Sequence, residues 1–397
     1  YRNRIYNGFS GQKGYISKTD LLNFLELTQV FIDQSIEKNK RPDGMYHAYN
    51  LVSFSGSTLE IRHLYEMLEG QVAVLSSGKL TAAEALELLN SLRNSTLYRA
   101  DQQSYILYPN KRLPSFLEKN NIPAEKIQSS ALLTELLSKG DKRIVTTDKK
   151  GQFHFNASFN NVGFLREALQ KLQKEGVYVV NDPDIQTLES IYEEIFDHQS
   201  FTGRSGTFYK YEGLGCIYWH MVSKLLLTIG ENIGWAMELK EDKQLIDSLK
   251  RHYAEVKAGI GAHKSPEEYG SFPFDPYSHT PTMAGVQQPG MTGQVKEDII
   301  SRFFELGIKV EKGCIRIQPE MLNASEFIQS KVSVKELSFS YCSVPFLYLK
   351  DGKKGIELLY KSGKSEITDL YQLNAETSAA IFARSNEIEN VIVHFDE

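Results

Sequence analysis

The hydrophobic pattern of this chain changes once along its 397 residues. Up to about residue 306, apolar residues recur at the three- and four-residue spacing that indicates amphipathic helices. Beyond that point, short runs alternate apolar and polar residues, as half-buried β-strands do. Many helices followed by many strands indicate separate α and β parts. We therefore expect a mainly α fold over residues 1–310 and a β module over 311–397.

Capping signals and periodicity predict where the individual helices lie. Thr81-Ala-Ala-Glu84 has the form of a capping box, which predicts a helix over 82–94. Asp20 is a suitable N-cap for a helix over 20–38. Helical spacing also predicts helices over 58–77, 128–138, 162–175, 184–197, 213–233, 240–258 and 292–306.

Strand signals dominate the end of the chain. An all-β module of sandwich type is expected, with strands at Gly313–Pro319, Val332–Tyr341, Phe346–Leu349, Ile356–Tyr360, Ala379–Phe382 and Val391–Phe395. Asp351-Gly352 and Ser362-Gly363 predict turns, because glycine accepts the backbone conformations that tight turns require. A separate β-hairpin is expected over Arg143–Asn156, with its turn at Lys149-Lys150-Gly151.

Composition argues against several classes of protein. Forty-five Lys and Arg against fifty Asp and Glu give a formal net charge of −5, whereas nucleic-acid binders normally have a basic domain. The sequence has no uncharged apolar run of about 18 residues, so no membrane span is expected. Three widely spaced cysteines fit a reducing compartment, and we expect a cytoplasmic protein. The nine histidines lack the spacing of a zinc site, so we expect no metal and no cofactor.

Three loops between the predicted helices are longer than usual, at 39–57, 198–212 and 259–291. Loops longer than about 12–15 residues are usually functional or disordered. These three are rich in Tyr, Phe, His and Arg, whereas disordered segments tend to lack aromatic residues. We therefore expect the loops to be ordered and to line a site.

The first long loop contains Asp43 within an Asp-Gly pair. A turn aspartate is the simpler interpretation, because Asp-Gly favours turns in any protein. The functional alternative is a carboxylic acid among aromatic residues. There, partial desolvation would raise the pKa of Asp43 enough for proton donation.

The second long loop leads through Trp219 and His220 into an apolar helix. A histidine at such a place is more often a packed core residue. The neighbouring aromatic residues favour the alternative, in which the imidazole binds a phosphate or a sugar hydroxyl.

Thr292 and Gly293 open the last predicted helix. The unpaired N–H groups and the positive dipole end of a helix start bind anions such as phosphate. The simpler alternative is that Thr292 is only an N-cap. Upstream, Phe272, Phe274 and Tyr277 lie within six residues of one another, either as a binding-site wall or as part of a packed loop.

Three motif positions together resemble the C-terminal part of the inverting glycoside phosphorylases, the cellobiose, cellodextrin and β-glucan phosphorylase group. Asp43-Gly44-Met45 is similar to the Asp-Gly-Met of the family's general-acid motif. His220 and Thr292-Gly293 follow at separations similar to those of the family's phosphate-binding His and Thr-Gly pair. The segment from Leu306 to Pro319 resembles the passage from the last barrel helix into a closing β-sandwich.

The resemblance implies an (α/α) barrel, present here in part, followed by a C-terminal β-sandwich. It implies inverting phosphorolysis of a β-linked gluco-oligosaccharide to an α-sugar 1-phosphate, with inorganic phosphate as co-substrate. Asp43 would protonate the leaving oxygen, while His220, Thr292 and Gly293 would hold phosphate. The implied substrate contacts are Arg41, Tyr209, Tyr211, Glu212, Trp219, Phe274, Tyr277, Gln287 and Gln288.

One departure from the family concerns the general acid. The family has Trp-Asn just before the acid, where this chain has Arg41-Pro42. Glu60, Glu69 and Glu212 are therefore reserve candidates for that role.

The implied partners are an oligosaccharide, phosphate and an N-terminal half of the same enzyme, because the family's first barrel half has no counterpart in this sequence. A homodimer is left open, and neither nucleic acid nor a membrane is an expected partner.

Two other functions also remain open. One is a glycoside hydrolase on the same toroid, in which Glu212 or Glu69 would activate water. The other is a non-catalytic carbohydrate-binding or structural fragment of a larger enzyme.

Overall fold

The computed structural model describes residues 11–110, 114–197, 215–260, 264–269, 277–280, 288–289, 293–329 and 334–395, together with Tyr6 and Gly8. Within these ranges the helices are α1 (Lys18–Lys38), α2 (Leu68–Leu75), α3 (Ala82–Arg93), α4 (Phe116–Lys119), α5 (Ala124–Gln128), α6 (Ala131–Ser138), α7 (Val162–Glu175), α8 (Asp182–Phe196), α9 (Trp219–Glu238), α10 (Lys243–Ala258), α11 (Pro266–Tyr269), α12 (Gly293–Glu305) and α13 (Ala375–Ala383).

The strands form several small sheets and one large sheet. They are β1 (Leu51–Ser55), β2 (Thr58–Arg62), β3 (Tyr98–Arg99), β4 (Ser104–Tyr105), β5 (Val145–Thr147), β6 (Phe153–Phe155), β7 (Ile217–Tyr218), β8 (Tyr277–Thr280), β9 (Gln288–Pro289), β10 (Ile308–Glu311), β11 (Cys314–Ile317), β12 (Ile328–Gln329), β13 (Lys335–Tyr341), β14 (Val344–Lys350), β15 (Gly355–Tyr360), β16 (Ser365–Thr368) and β17 (Ile388–Phe395). The fold is therefore mixed, with helices concentrated before residue 306 and the six-stranded sheet after it.

Helices α2 and α9 run in the same direction and pack together. At the helix starts, the Leu68 N–H donates to Leu107 O, and the Leu107 N–H donates to Cys216 O just before α9. Towards the other ends, the Asn232 side chain of α9 donates to Leu75 O of α2. The starts of both helices therefore lie at the same end of the helical layer.

Helix α12 also runs parallel to α9. Near the two helix starts, His220 of α9 faces Glu297 of α12. Further along, the ring of Phe304 lies against Gly230, where a Cβ atom would come within 3.1 Å of the ring. A glycine at this position therefore allows the two helices to approach closely.

Helices α3 and α10 form a second layer that runs in the opposite direction. The residues 239–242 join α9 to α10, which folds back antiparallel to it. His252 Nε2 of α10 lies 2.9 Å from Asn90 Oδ1 of α3, and Arg93 Nε lies 3.7 Å from Glu255 Oε2. The two layers share one hydrophobic core. This arrangement fits an α/α fold, while a closed barrel stays a prediction.

The helices from α4 to α8 and the hairpin β5–β6 form a unit with its own core. Helix α7 buries Leu165, Leu169 and Leu172 at helical spacing, and Tyr192 of α8 packs in the same core. The predicted hairpin over Arg143–Asn156 is confirmed, because β5 pairs antiparallel with β6.

Helix α1 has large apolar residues around most of its circumference, yet no residue of α1 is buried. Leu25 is 52% exposed and Phe31 is 62% exposed. The last turns are held by Lys79, whose Nζ lies 2.9 Å from Glu37 Oε1, and by Ile36, which packs against the helical core.

Two helix predictions needed correction. The prediction that Asp20 caps α1 is wrong, because the Ser17 side chain accepts the hydrogen bond from the Asp20 N–H. The predicted helix over 58–77 is also wrong in its first part. Thr58–Arg62 is strand β2, and only Leu68–Leu75 is helical. The capping box at Thr81 and Glu84 is confirmed.

The end of the chain forms a mixed six-stranded sheet in the order β12-β13-β14-β17-β15-β16. Strands β14 and β17 are parallel, and the other pairs are antiparallel. Ile315 of β11 and Ile381 of α13 share a core with the sheet. The predicted strand at Ala379–Phe382 is wrong, because these residues belong to α13. The module is therefore not all β, and a two-sheet sandwich stays a prediction.

None of the helices within the described ranges combines the length and the apolar character needed to cross a bilayer.

Candidate functional site

The starts of α2, α9 and α12 form the end of the helical layer where the candidate site lies. Strand β7 precedes α9 directly and pairs with β8, which in turn pairs with β9. The backbones of Tyr277 and Gln288, two predicted substrate contacts, therefore lie beside the start of α9. Gly293 is the first residue of α12, as the predicted helix start requires.

His220 lies in the first turn of α9 and faces α12. The distance from His220 Nε2 to Glu297 Oε1 is 3.6 Å, and the Tyr218 hydroxyl lies 3.3 Å from His220 Nδ1. Glu297 is buried, whereas the side chain of His220 is 27% exposed. The structure thus brings His220 to the first turns of the helix that Gly293 opens.

Trp219 does not form the predicted stacking wall in this structure. Its side chain is 0% exposed and belongs to the helical core. The ammonium group of Lys264 lies 4.9 Å from the centre of the ring. A sugar needs a free ring face for stacking, and this indole offers none.

Asp43 lies in a tight turn, where the Gly44 N–H donates to Arg41 O. The Asp43 carboxylate accepts from the Met45 N–H at 3.2 Å. Gly44 has a φ of +81°, and a Cβ atom there would come within 2.5 Å of Ser91 Oγ. Both the conformation and the packing of this turn therefore require glycine.

The guanidinium group of Arg41 binds Asp43 directly. Arg41 Nη2 lies 2.7 Å from Asp43 Oδ2, and Nε lies 3.1 Å from Oδ1. These hydrogen bonds hold the pKa of Asp43 below its ordinary value and outweigh the opposing effect of partial burial. The expectation that desolvation raises this pKa is therefore wrong for the structure as it stands.

A cleft of about 720 Å³ opens beside Asp43. It also holds Glu66, which accepts from the Thr96 hydroxyl at 3.0 Å and lies 3.5 Å from the other end of the Arg41 guanidinium. Polar side chains of α3 and the following turn also line the cleft, namely Glu87, Asn90, Ser91, Asn94 and Ser95. Neither His220 nor any described residue of α12 lines this cleft.

The reserve candidate Glu69 is engaged by Tyr49. The Tyr49 hydroxyl donates to Glu69 Oε2 at 2.5 Å, and this hydrogen bond with burial raises the pKa of Tyr49 to about 12. Tyr49 has a φ of +56°, a left-handed conformation that non-glycine residues rarely adopt. Such strained positions are frequent in functional loops. The reserve candidate Glu60 lies exposed on β2.

Several predicted contacts lie outside the described residues. They are Tyr209, Tyr211, Glu212, Phe274, Gln287 and Thr292. The same holds for the loop 198–212 and for most of the loop 259–291. Their roles stay predictions.

One comparison with known proteins relates to the unit around α4–α8. Residues 113–199 match the family model described as GH149 phosphorylase insertion domain 2. This part of the chain is similar to part of a glycoside phosphorylase. No curated protein matches the chain significantly. The match therefore supports a relationship to glycoside phosphorylases at the level of the family. We call the described residues 114–197 the GH149-like unit.

The GH149-like unit contacts the loop region that carries the candidate site. Arg62, the last residue of β2, forms two hydrogen bonds with Asp197, which follows α8. The hairpin β1–β2 begins at Leu51, eight residues after Asp43. The unit thus contacts the hairpin that follows the loop with Asp43.

Sequence reasoning missed two acidic residues with notable environments, Glu66 and Glu297. Glu66 precedes α2 and shares Arg41 with Asp43. Glu297 lies in the second turn of α12, and carboxylates near helix starts are common because they complement the helix dipole. Neither position carried a signal that distinguishes it from an ordinary surface carboxylate.

Proposed function

We propose that this chain takes part in the inverting phosphorolysis of a β-linked gluco-oligosaccharide, which yields an α-sugar 1-phosphate and a shortened chain. The match of residues 113–199 to a GH149 phosphorylase domain carries the assignment to a phosphorylase. The finer assignment is supported by His220, which lies against the first turns of the helix that Gly293 opens.

The proposed reaction transfers one proton and one glycosyl group. Asp43 gives a proton to the glycosidic oxygen as the bond between this oxygen and the anomeric carbon breaks. An oxygen of phosphate attacks the anomeric carbon from the opposite face, so the configuration inverts. His220 and the N–H groups at the start of α12 hold the phosphate. Phosphate is already an anion, so no second carboxylate is needed to activate the nucleophile, unlike in an inverting hydrolase.

Asp43 can donate a proton only after its bond to Arg41 is released, because this guanidinium favours the ionised carboxylate. Glu66 lies 3.5 Å from Nη1 of the same guanidinium. We propose that Arg41 moves towards Glu66 when substrate enters the cleft. Asp43 then loses its cation, and partial burial raises its pKa towards the range of a proton donor.

The test is the dependence of product formation on phosphate. We expect the chain to release an α-sugar 1-phosphate from β-linked gluco-oligosaccharides only when inorganic phosphate is present, as followed by ³¹P and ¹H NMR. Equal release of free sugar without phosphate would instead select the hydrolase. Binding of the oligosaccharide without any turnover would select a non-catalytic fragment.

The general acid is tested by Asp43→Asn. Loss of the proton donor should lower turnover by roughly 10²–10⁴-fold, while circular dichroism shows that the fold is retained. Asp141→Asn is the matched control, because Asp141 forms a similar fork of hydrogen bonds with Arg143 but does not line this cleft. A wild-type rate in the Asp43 variant would assign the acid to another residue.

A further inference from the structure

We propose that Glu297 is a positioning residue for His220 and determines which imidazole nitrogen faces phosphate. The Glu297 carboxylate holds a proton on His220 Nε2, which leaves Nδ1, beside the Tyr218 hydroxyl, as the nitrogen that accepts a hydrogen bond from a protonated oxygen of phosphate. The inference rests on the proposed phosphorolysis and adds a residue to its anion site.

The first argument is burial without a partner. Glu297 is 2% exposed, and its side chain comes from the second turn of α12. Among the described residues, neither Glu297 Oε2 nor His220 Nε2 has a hydrogen-bond partner, although both atoms are buried. A buried carboxylate is costly unless an opposite charge or a donor compensates it. The imidazole, 3.6 Å away, is placed to supply a donor.

The second argument is the orientation of the ring. Nε2 points into the interface between α9 and α12, so it is closed to solvent. The side chain is nevertheless 27% exposed, and Nδ1 lies 3.3 Å from the Tyr218 hydroxyl. Nε2 is thus enclosed between the two helices, whereas Nδ1 lies on the side of the ring that the Tyr218 hydroxyl approaches. This division is how a second partner commonly fixes the tautomer of a functional histidine.

The third argument is electrostatic. A buried carboxylate close to a phosphate site would repel phosphate if nothing lay between them. The imidazole lies between the carboxylate and the proposed phosphate, with its Nε2–H facing Glu297, and so keeps the two negative charges apart. Lys296 Nζ lies 3.4 Å from Glu297 Oε1, but its side chain is 67% exposed, so water weakens this pair.

The neighbouring carboxylate of α12 provides a matched control. Asp298 lies beside Ser223 of α9 and burial raises its pKa, yet no contact joins Asp298 to His220 in the described part of the chain. Replacing Asp298 therefore removes a half-buried carboxyl from the same interface and leaves the His220–Glu297 pair intact.

The experiment compares Glu297→Gln and Asp298→Asn with the wild-type chain. Titration calorimetry with inorganic phosphate gives the Kd, and ¹⁵N NMR of the imidazole reports which nitrogen of His220 carries the proton. We expect the Glu297 variant to bind phosphate roughly tenfold more weakly and to show changed His220 nitrogen signals. The Asp298 variant should stay within about twofold of the wild-type Kd. Glu297→Asp should recover part of the affinity, which a purely structural role would not require.

Two failures are distinguishable. If the wild-type chain binds phosphate and the Glu297 variant binds it equally well, the role of Glu297 is refuted and the phosphorolysis stands. If the wild-type chain neither binds phosphate nor depends on it, the phosphorolysis itself is refuted, and the role of Glu297 with it. A wild-type NMR spectrum in which Nε2 carries no proton also overturns the positioning role.

Discussion

Arg41 connects two carboxylates beside the 720 Å³ cleft, Asp43 and Glu66. Its guanidinium binds Asp43 through two nitrogens and reaches Glu66 through a third. Each carboxylate favours the charged guanidinium, which raises the pKa of Arg41 further. The arginine that departs from the family motif is thus the residue that most affects the proposed acid.

The effect of Arg41 on Asp43 can be measured directly. In Arg41→Gln, the fork of hydrogen bonds is lost while partial burial remains, so the pKa of Asp43 should rise. Carboxyl ¹³C NMR over pH 2–7 should show Asp43 titrating at higher pH in the variant than in the wild type.

Lys40→Gln is the control for the charge change. Lys40 pairs with Glu87 rather than with Asp43. An equal rise in the pKa of Asp43 in both variants would show that net charge sets this pKa, rather than the hydrogen bonds from Arg41.

At the scale of elements, local sequence signals were sufficient to predict a helix that has its own N-cap and its own apolar stripe. The helix over 162–175 was predicted with the bounds that the structure shows, and it buries Leu165, Leu169 and Leu172. The strand β2 was missed because Leu64, Met67, Leu68 and Leu75 suggested one continuous helix. Only pairing with β1, a contact absent from local sequence, makes Thr58–Arg62 a strand.

Contacts between distant segments, rather than local sequence signals, also decide the structure of α13 and of the site. Ala379–Phe382 was predicted as a strand, but these residues are helical. The Asn374 side chain caps α13 by accepting from the Thr377 N–H, and Ile381 packs in the core that α13 shares with the sheet. For the site, the family resemblance implied that His220 and the start of α12 both hold phosphate, and His220 does lie against that helix. The resemblance could not predict Glu66, Glu297 or the burial of Trp219, because each depends on packing between distant segments.

The GH149-like unit should fold without the rest of the chain. Its core residues all come from the segment 122–196, and this core is separate from the helical core. We expect an isolated fragment of residues 114–197 to unfold cooperatively in urea, as followed by circular dichroism.

Leu169→Ala then tests whether this core holds the fragment together. The substitution should lower its free energy of unfolding by about 2–5 kcal/mol, because a fully buried leucine leaves a cavity. Leu117→Ala is the control, since Leu117 is 78% exposed. A non-cooperative transition in the unsubstituted fragment would show that the unit needs its contacts with the hairpin β1–β2.

At the scale of the whole molecule, α1 is the element that the described structure leaves uncovered. Helices with apolar residues on all sides are normally buried on all sides. Eight large apolar residues of α1 are each 48–62% exposed, and exposed apolar clusters mark interaction sites; they are Leu21, Leu22, Phe24, Leu25, Leu27, Val30, Phe31 and Ile32.

We therefore expect the chain to self-associate through α1. Phe24→Glu combined with Phe31→Glu should shift the mass measured by light scattering towards the 45.1 kDa monomer. The double substitution should cost little stability, because both side chains are already exposed.

Leu239→Glu is the control, since Leu239 is 73% exposed but lies at the end of α9. A wild-type chain that stays monomeric at every concentration would contradict this prediction.

The place of β17 has a consequence for synthesis on the ribosome. The last strand in sequence is an inner strand of the sheet, between β14 and β15. Until Ile388–Phe395 has emerged, β14 and β15 each present an unpaired edge to the crowded surroundings of the nascent chain. The GH149-like unit can fold during translation, whereas the C-terminal sheet has to wait for its final strand. A chain truncated before Ile388 would therefore lose an inner strand of this sheet and leave β14 and β15 each with an unpaired edge.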